Sequence, residues 1–152
     1  MIKKFNYFFQ ACLIYLLFII GRIIGIKISR KIFSFLFTFI GPIFKSKKII
    51  KSNINIFSKD INDYERNKII NNMWKNYGMT FIEYVFLDHL KKKNSHIEIN
   101  DEANLLNVVK KNKPVIFVSG HFANFELMSM EIAKIGINLA TIYRPLNNFF
   151  LN

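Results

Sequence analysis

The sequence predicts an α/β protein. An N-terminal membrane helix comes first, long amphipathic helices follow, and the chain ends in a βαβ unit whose sheet is incomplete. Three observations lead there. The stretch from Phe5 to Gly21 (FNYFFQACLIYLLFIIG) is almost wholly apolar. Between residues 58 and 90, apolar residues recur at helical spacing. Near the end, two short apolar runs bracket a helical pattern. The length of 152 residues is that of one ordinary domain. A hydrophobic content of 51% excludes a disordered tail. A single cysteine, Cys12, excludes a disulfide framework and a cysteine-built zinc site. The formal charge is +12, from 22 Lys and Arg against 10 acidic residues. A basic, apolar chain points to anionic partners: a membrane surface, nucleic acid or an acidic protein. The abundance of Lys, Ile and Asn also follows from nucleotide bias, so the few arginines, Arg22, Arg30, Arg66 and Arg144, carry more information than the lysines.

Residues 1–31 read as a membrane anchor. Only Asn6 and Gln10 interrupt the first apolar run, both near one end. The run approaches the roughly 20 apolar residues that a spanning helix needs, and Arg22 can snorkel from its end. Lys3 and Lys4 stand before it, and Arg22, Lys27, Arg30 and Lys31 after it, so the charges give little bias for orientation. No small-residue cleavage site follows, which disfavours a removed signal peptide. The alternative is a buried core helix, although a chain of this length could hardly bury so much Phe and Ile.

Residues 32–57 read as an interfacial apolar helix and a basic linker. Ile32 to Phe44 (IFSFLFTFIGPIF) is too short to span, and Gly41-Pro42 should break it. Lys45, Lys47, Lys48 and Lys51 follow. Lysines beside an apolar helix suit docking on anionic lipid, and a solvated lysine loop fits equally well.

Residues 58–90 read as one long helix. Asn62 with Glu65 resembles a capping box. Ile69, Ile70, Met73, Trp74, Tyr77, Phe81, Ile82, Val85 and Phe86 form one stripe. Gly78 within it marks a kink or a close packing point. Trp74 and the tyrosines fit a core better than a base-stacking platform. Lys91, Lys92, Lys93 and Asn94 close the helix with cations. His89 and His96 have no partners at ligand spacing and read as surface or loop histidines.

The chemistry lies in the last forty residues. Val115–Val118 is a short continuous apolar run, as in a buried parallel strand. Asn124 to Ile135 has helical spacing, and Gly136 stops it. Ile137 to Tyr143 reads as a second strand. Strand, helix and strand make a βαβ unit, which would put His121 and Arg144 at strand ends on one rim, where such sheets bind ligands. His121 and Glu126 could then act as a base and its orienting carboxylate. Taken alone, His-x4-Glu is a pattern that chance supplies often.

These residues resemble a family. Gly120–Glu126 (GHFANFE), followed by Thr141–Asn152 (TIYRPLNNFFLN), is similar to the lipid A late acyltransferases of Gram-negative bacteria, with Phe125 at the position of a tryptophan. The resemblance extends back through Asn53-Ile54, Phe57-Ser58, Tyr64-Glu65-Arg66, Tyr77-Gly78 and Glu83. It implies a glycerolipid-acyltransferase-like fold, of which residues 58–152 would be the N-terminal part, with the C-terminal part of the domain missing from this chain. It implies His121 as general base and Glu126 as its orienter. Arg144 would contact phosphate or polarise the acyl group, and Asn124 would cap the helix or line the site. It further implies acyl carrier protein as donor, a phosphorylated glycolipid acceptor, contact with membrane lipid, and no metal or other cofactor. The location would be the bacterial inner membrane, with the active site on the cytoplasmic side. A different glycerolipid or glycolipid acceptor, or a truncated membrane protein without catalysis, are the other readings. Nucleic acid is not an expected partner: Arg is scarce, the lysines flank apolar segments, and no recognition motif is present.

Overall fold

The computed structural model describes residues 2–92, 97–111 and 113–152, with the side chain of Phe44 excepted. Lys93, Asn94 and His96 lie outside the described residues. The chain forms two compact units, Met1–Phe86 with Leu151, and Leu87–Phe150 with Asn152.

The first unit is built of four helices: α1 (Ile2–Ile24), α2 (Ile26–Phe44), α3 (Lys47–Phe57) and α4 (Asp63–Glu83). α1 and α2 meet at Gly25, whose φ of 80° is a conformation that glycine adopts without penalty. The buried Ser29 hydroxyl staples this junction. It lies 2.7 Å from the Gly21 carbonyl and 2.8 Å from that of Gly25. α1 is long and apolar enough to cross a membrane, and only 11% of its most apolar stretch is buried. It therefore does not serve as a buried core helix in this unit. Phe5, Phe9, Leu16, Ile20 and Ile23 all face outward.

α2 and α4 run antiparallel and make the main packing contact of the unit. Arg30 pairs with the buried Glu83 at 3.0 Å, and further along α2, Gly41 lies against the Trp74 ring. Between those pairs, Gly78 of α4 sits against the Phe33 carbonyl of α2 so closely that a Cβ would collide with it. Gly78 is thus a close packing point. The helix continues past it to Glu83. Phe33, Ile82 and Phe86 form the core, with Phe18, Phe37 and Phe81 packed around it. Trp74 is buried, as expected, but Tyr64, Tyr77 and Tyr84 are exposed and are not core residues.

Three element boundaries differ from the sequence expectation. α2 runs through Gly41-Pro42 to Phe44; Pro42 has no N–H to give the Thr38 carbonyl, and the helix ends two residues beyond it. The basic stretch after it is itself helical, as α3. The long middle helix ends at Glu83 and gives way to a 3-10 turn (Tyr84–Phe86) and the short α5 (Leu87–Leu90). Its start is as expected: the Asn62 side chain accepts from the Glu65 amide at 2.8 Å.

The second unit corrects the fold class. It holds α6 (Glu102–Lys110) and α7 (Glu126–Lys134), and the described residues contain no strand. There is no βαβ unit, and the α/β assignment does not hold: the described residues form a helical protein with extended connections. His121 and Arg144 accordingly do not sit at strand ends. The physical reason is visible in the exposure of the two runs. Ile116 and Val118 are each 90% exposed, and Ile142 is fully exposed. A parallel strand is stable when neighbouring strands take its backbone bonds and helices cover its faces. Neither run has such neighbours here.

Candidate active site

The candidate site begins where the extended run 114–120 ends. The Phe122 amide donates to the Gly120 carbonyl at 2.9 Å, closing a three-residue turn with His121 at its centre. Ala123 follows with φ of 48°. This left-handed conformation costs a residue with a Cβ roughly 1–2 kcal/mol, and the chain needs it to turn from the extended run into α7. Asn124 is buried, and its backbone carbonyl accepts from the Leu127 amide at 3.2 Å. Phe125, and not Asn124, is the residue at the helix N-cap, no side chain caps the helix, and Glu126 opens α7.

The His121 imidazole is exposed, and its ring lies 4.1 Å from the Phe125 ring, tilted by 51°. The aromatic ring packs beside the imidazole, and the residue as a whole stays exposed. Glu126 is also exposed, at the positive end of the α7 dipole. Among the described residues, no hydrogen bond or ion pair joins His121 to Glu126. They are near neighbours along the chain, His121 at the centre of the turn and Glu126 at the first residue of the helix that follows.

α7 is anchored on its other side. Ile132 is buried, and Lys134 pairs with Glu131 and donates to the Leu90 carbonyl at 3.2 Å. Gly136, with φ of 87°, ends the helix as expected. The extended segment 137–146 then carries Tyr143-Arg144-Pro145. Its far end is clamped by Asn152, whose side-chain oxygen accepts from the Tyr143 hydroxyl at 3.1 Å and from the Leu146 amide at 2.8 Å. The amide group of Asn152 donates back to the Leu146 carbonyl at 3.1 Å. Arg144 lies within this clamped segment. Arg22, Arg30 and Arg66 are each held by protein oxygens. Arg144 is exposed and has no hydrogen bond or ion pair among the described residues.

An open trough of about 920 Å³ lies between the two extended runs, walled by Val115, Phe117, Met128, Ile132, Leu139 and Ile142 among others. His121, Glu126 and Arg144 are not in its walls. Among the described residues, no group of three or more His, Cys, Asp or Glu is placed to hold a metal ion.

Sequence reasoning proposes His121, Asn124, Glu126 and Arg144 and passes over two residues that the structure sets beside them. Phe125 stands in the motif at the position of a tryptophan, and its ring contact with His121 has one available signal, an aromatic four residues past a histidine. Asn152 had no signal, because its contacts exist only once the chain has turned back on itself.

The family model described as bacterial lipid A biosynthesis acyltransferase matches residues 2–152. Neither a curated protein nor a solved structure matches the chain. A match over essentially the full length means that this chain belongs to the bacterial lipid A biosynthesis acyltransferase family.

Proposed function

We propose that the protein transfers a fatty acyl chain from acyl carrier protein to a hydroxyl of a lipid A precursor, with His121 as general base. The observation that carries this reading is the exposed imidazole at the centre of the Gly120–Phe122 turn, next to the helix that Glu126 opens. His121 takes the proton of the acceptor hydroxyl, whose oxygen attacks the thioester carbonyl. The new C–O bond forms, the C–S bond breaks, and the leaving thiolate recovers the proton from the imidazolium. Glu126 orients the ring and stabilises its charged form once the acceptor is bound; catalytic hydrogen bonds commonly tighten only in the substrate complex. Arg144, with its guanidinium uncommitted, binds a phosphate of the acceptor or polarises the acyl carbonyl. Asn124, buried between the turn and α7 along the chain, lines the site.

The acceptor is a phosphorylated, hydroxyacylated glucosamine disaccharide in the inner membrane. α1 anchors the protein in that membrane, with the active site on the cytoplasmic side. Acyl carrier protein is acidic, so donor, acceptor and bilayer all suit a chain of charge +12.

The test is acyl transfer in vitro, from acyl carrier protein to the phosphorylated disaccharide lipid, with product followed by mass. His121→Ala should lower the rate by about 10²–10⁴-fold. Unchanged transfer by that variant would remove His121 from the role of base. Unchanged acyl-chain number in lipid A from a deletion strain would exclude this acceptor.

A further inference from the structure

α2 has two apolar faces, and only one of them is used by the protein. Phe33, Phe37 and Gly41 face α4 or the core. Ile28, Ile32, Phe35, Phe39 and Ile43 recur at three- and four-residue spacing along the other side, and every one of them is exposed, with Phe35 at 63% and Phe39 at 64%. The spacing makes a single stripe along the helix. A run of large apolar side chains left outward in this way marks an interaction surface.

The charges around the stripe identify the occupant. Lys27, Arg30 and Lys31 stand at one end of α2, and Lys45, Lys47, Lys48 and Lys51 at the other. No acidic residue occurs anywhere before Asp60. Arg30 is paired with Glu83, and the lysines around the stripe have no acidic residue near them in the sequence; an apolar stripe bounded by such charge is complementary to acyl chains under a layer of anionic headgroups. α3 adds to the same character, with Ile49, Ile56 and Phe57 exposed beside its lysines.

A second span is excluded by the partner helix. α2 packs along α4, whose outward residues include Asn67, Lys68, Asn71, Asn72 and Lys75. Carrying those groups into hydrocarbon would be costly and would leave them without partners. α2 can immerse its outer stripe while α4 stays in water.

We infer that the outer stripe of α2, with the lysines at its end and on α3, rests on the surface of an anionic bilayer, as a second membrane contact distinct from α1. This rests on the reading of α1 as the anchor, and it assigns α2 to the interface and not to the span. Ser29, buried at the α1–α2 junction, braces the two contacts against each other.

The test uses the full chain with Cys12→Ser and one new cysteine at a time, labelled with an environment-sensitive fluorophore. The positions are Leu16→Cys on α1, Phe35→Cys and Phe39→Cys on α2, and Asn71→Cys on α4. All four sites are exposed, so the fold should tolerate them. The protein is reconstituted in vesicles of equimolar phosphatidylcholine and phosphatidylglycerol. Labels at 35 and 39 should shift to the blue and lose most of their emission to spin-labelled lipid, while the label at 71 responds only to aqueous iodide. Replacing Lys45, Lys47, Lys48 and Lys51 together by Gln, or using phosphatidylcholine alone, should reduce lipid quenching at 39 and leave position 16 unchanged. Iodide quenching at 35 and 39 equal to that at 71 would overturn the inference. Shielding from both quenchers would overturn it too, pointing to a second copy or another protein on the stripe. In either case lipid quenching at 16 would leave the anchor standing, and its loss there would remove the anchor reading as well.

Discussion

At the residue scale, the site is a few side chains held by short-range geometry. His121 owes its exposure to the turn that the Phe122 amide closes on Gly120, and its ring position to Phe125. Arg144 owes its position to Asn152, which clamps Tyr143 and Leu146 around it. That clamp leaves the guanidinium as the one arginine head without a protein oxygen among the described residues. If it recognises phosphate through its planar fork, Lys is a poor substitute, because an ammonium offers charge without the paired donors. Arg144→Lys should therefore lower kcat/KM about tenfold or more, equivalent to about 1.4 kcal/mol or more, chiefly through KM for the phosphorylated acceptor. A variant with unchanged KM would show that the fork is not used. Much of this was legible in the sequence. His121 with Glu126, and Arg144 between Tyr143 and Pro145, are local strings that resemble a known family. Asn152 was not legible, because a side chain that closes a turn declares itself only when the turn exists.

At the element scale, the α2–α4 crossing carries the first unit. Periodicity alone placed Phe81, Ile82, Val85 and Phe86 on one helical stripe and Asn62 at the cap; the cap is as expected and all four side chains lie in or against the core, but Val85 and Phe86 reach it from the 3-10 turn and not from the helix. It also placed Ile69 and Tyr77 on that stripe, yet they are 42% and 50% exposed. A helix can bury only the arc that its partner covers, and α2 covers a narrower arc than the apolar residues of α4 span. The crossing is close because Gly78 offers no side chain. Gly78→Ala would gain helix propensity of about 1 kcal/mol. It would also drive a Cβ into the Phe33 carbonyl, which is backbone and cannot swing aside. Overpacking of this kind costs about 1–3 kcal/mol, so the net effect should be destabilising, read as a lower thermal midpoint in detergent. A raised midpoint would mean that the two helices are farther apart than described.

At the scale of the whole molecule, the two units differ in what holds them. The first has a core of interlocked aromatic side chains. The second has two extended apolar runs that pair with nothing, so backbone amides at 115–118 and 137–142 should exchange with solvent much faster than those of α2 and α4 facing the core. Slow exchange in the two runs would mean that a sheet forms in solution after all. The sequence by itself determined the family, the apolar first helix, the excess of cations and the residues proposed for the chemistry. Each of these is a property of composition or of a short string, and local order along the chain is enough to express it. Only the tertiary structure decided that Val115–Val118 and Ile137–Tyr143 are not strands and that one face of α2 is left uncovered. Both depend on partners. A β-branched apolar run becomes a strand only where another backbone meets its hydrogen bonds, and an apolar helix face becomes core only where another helix lies against it.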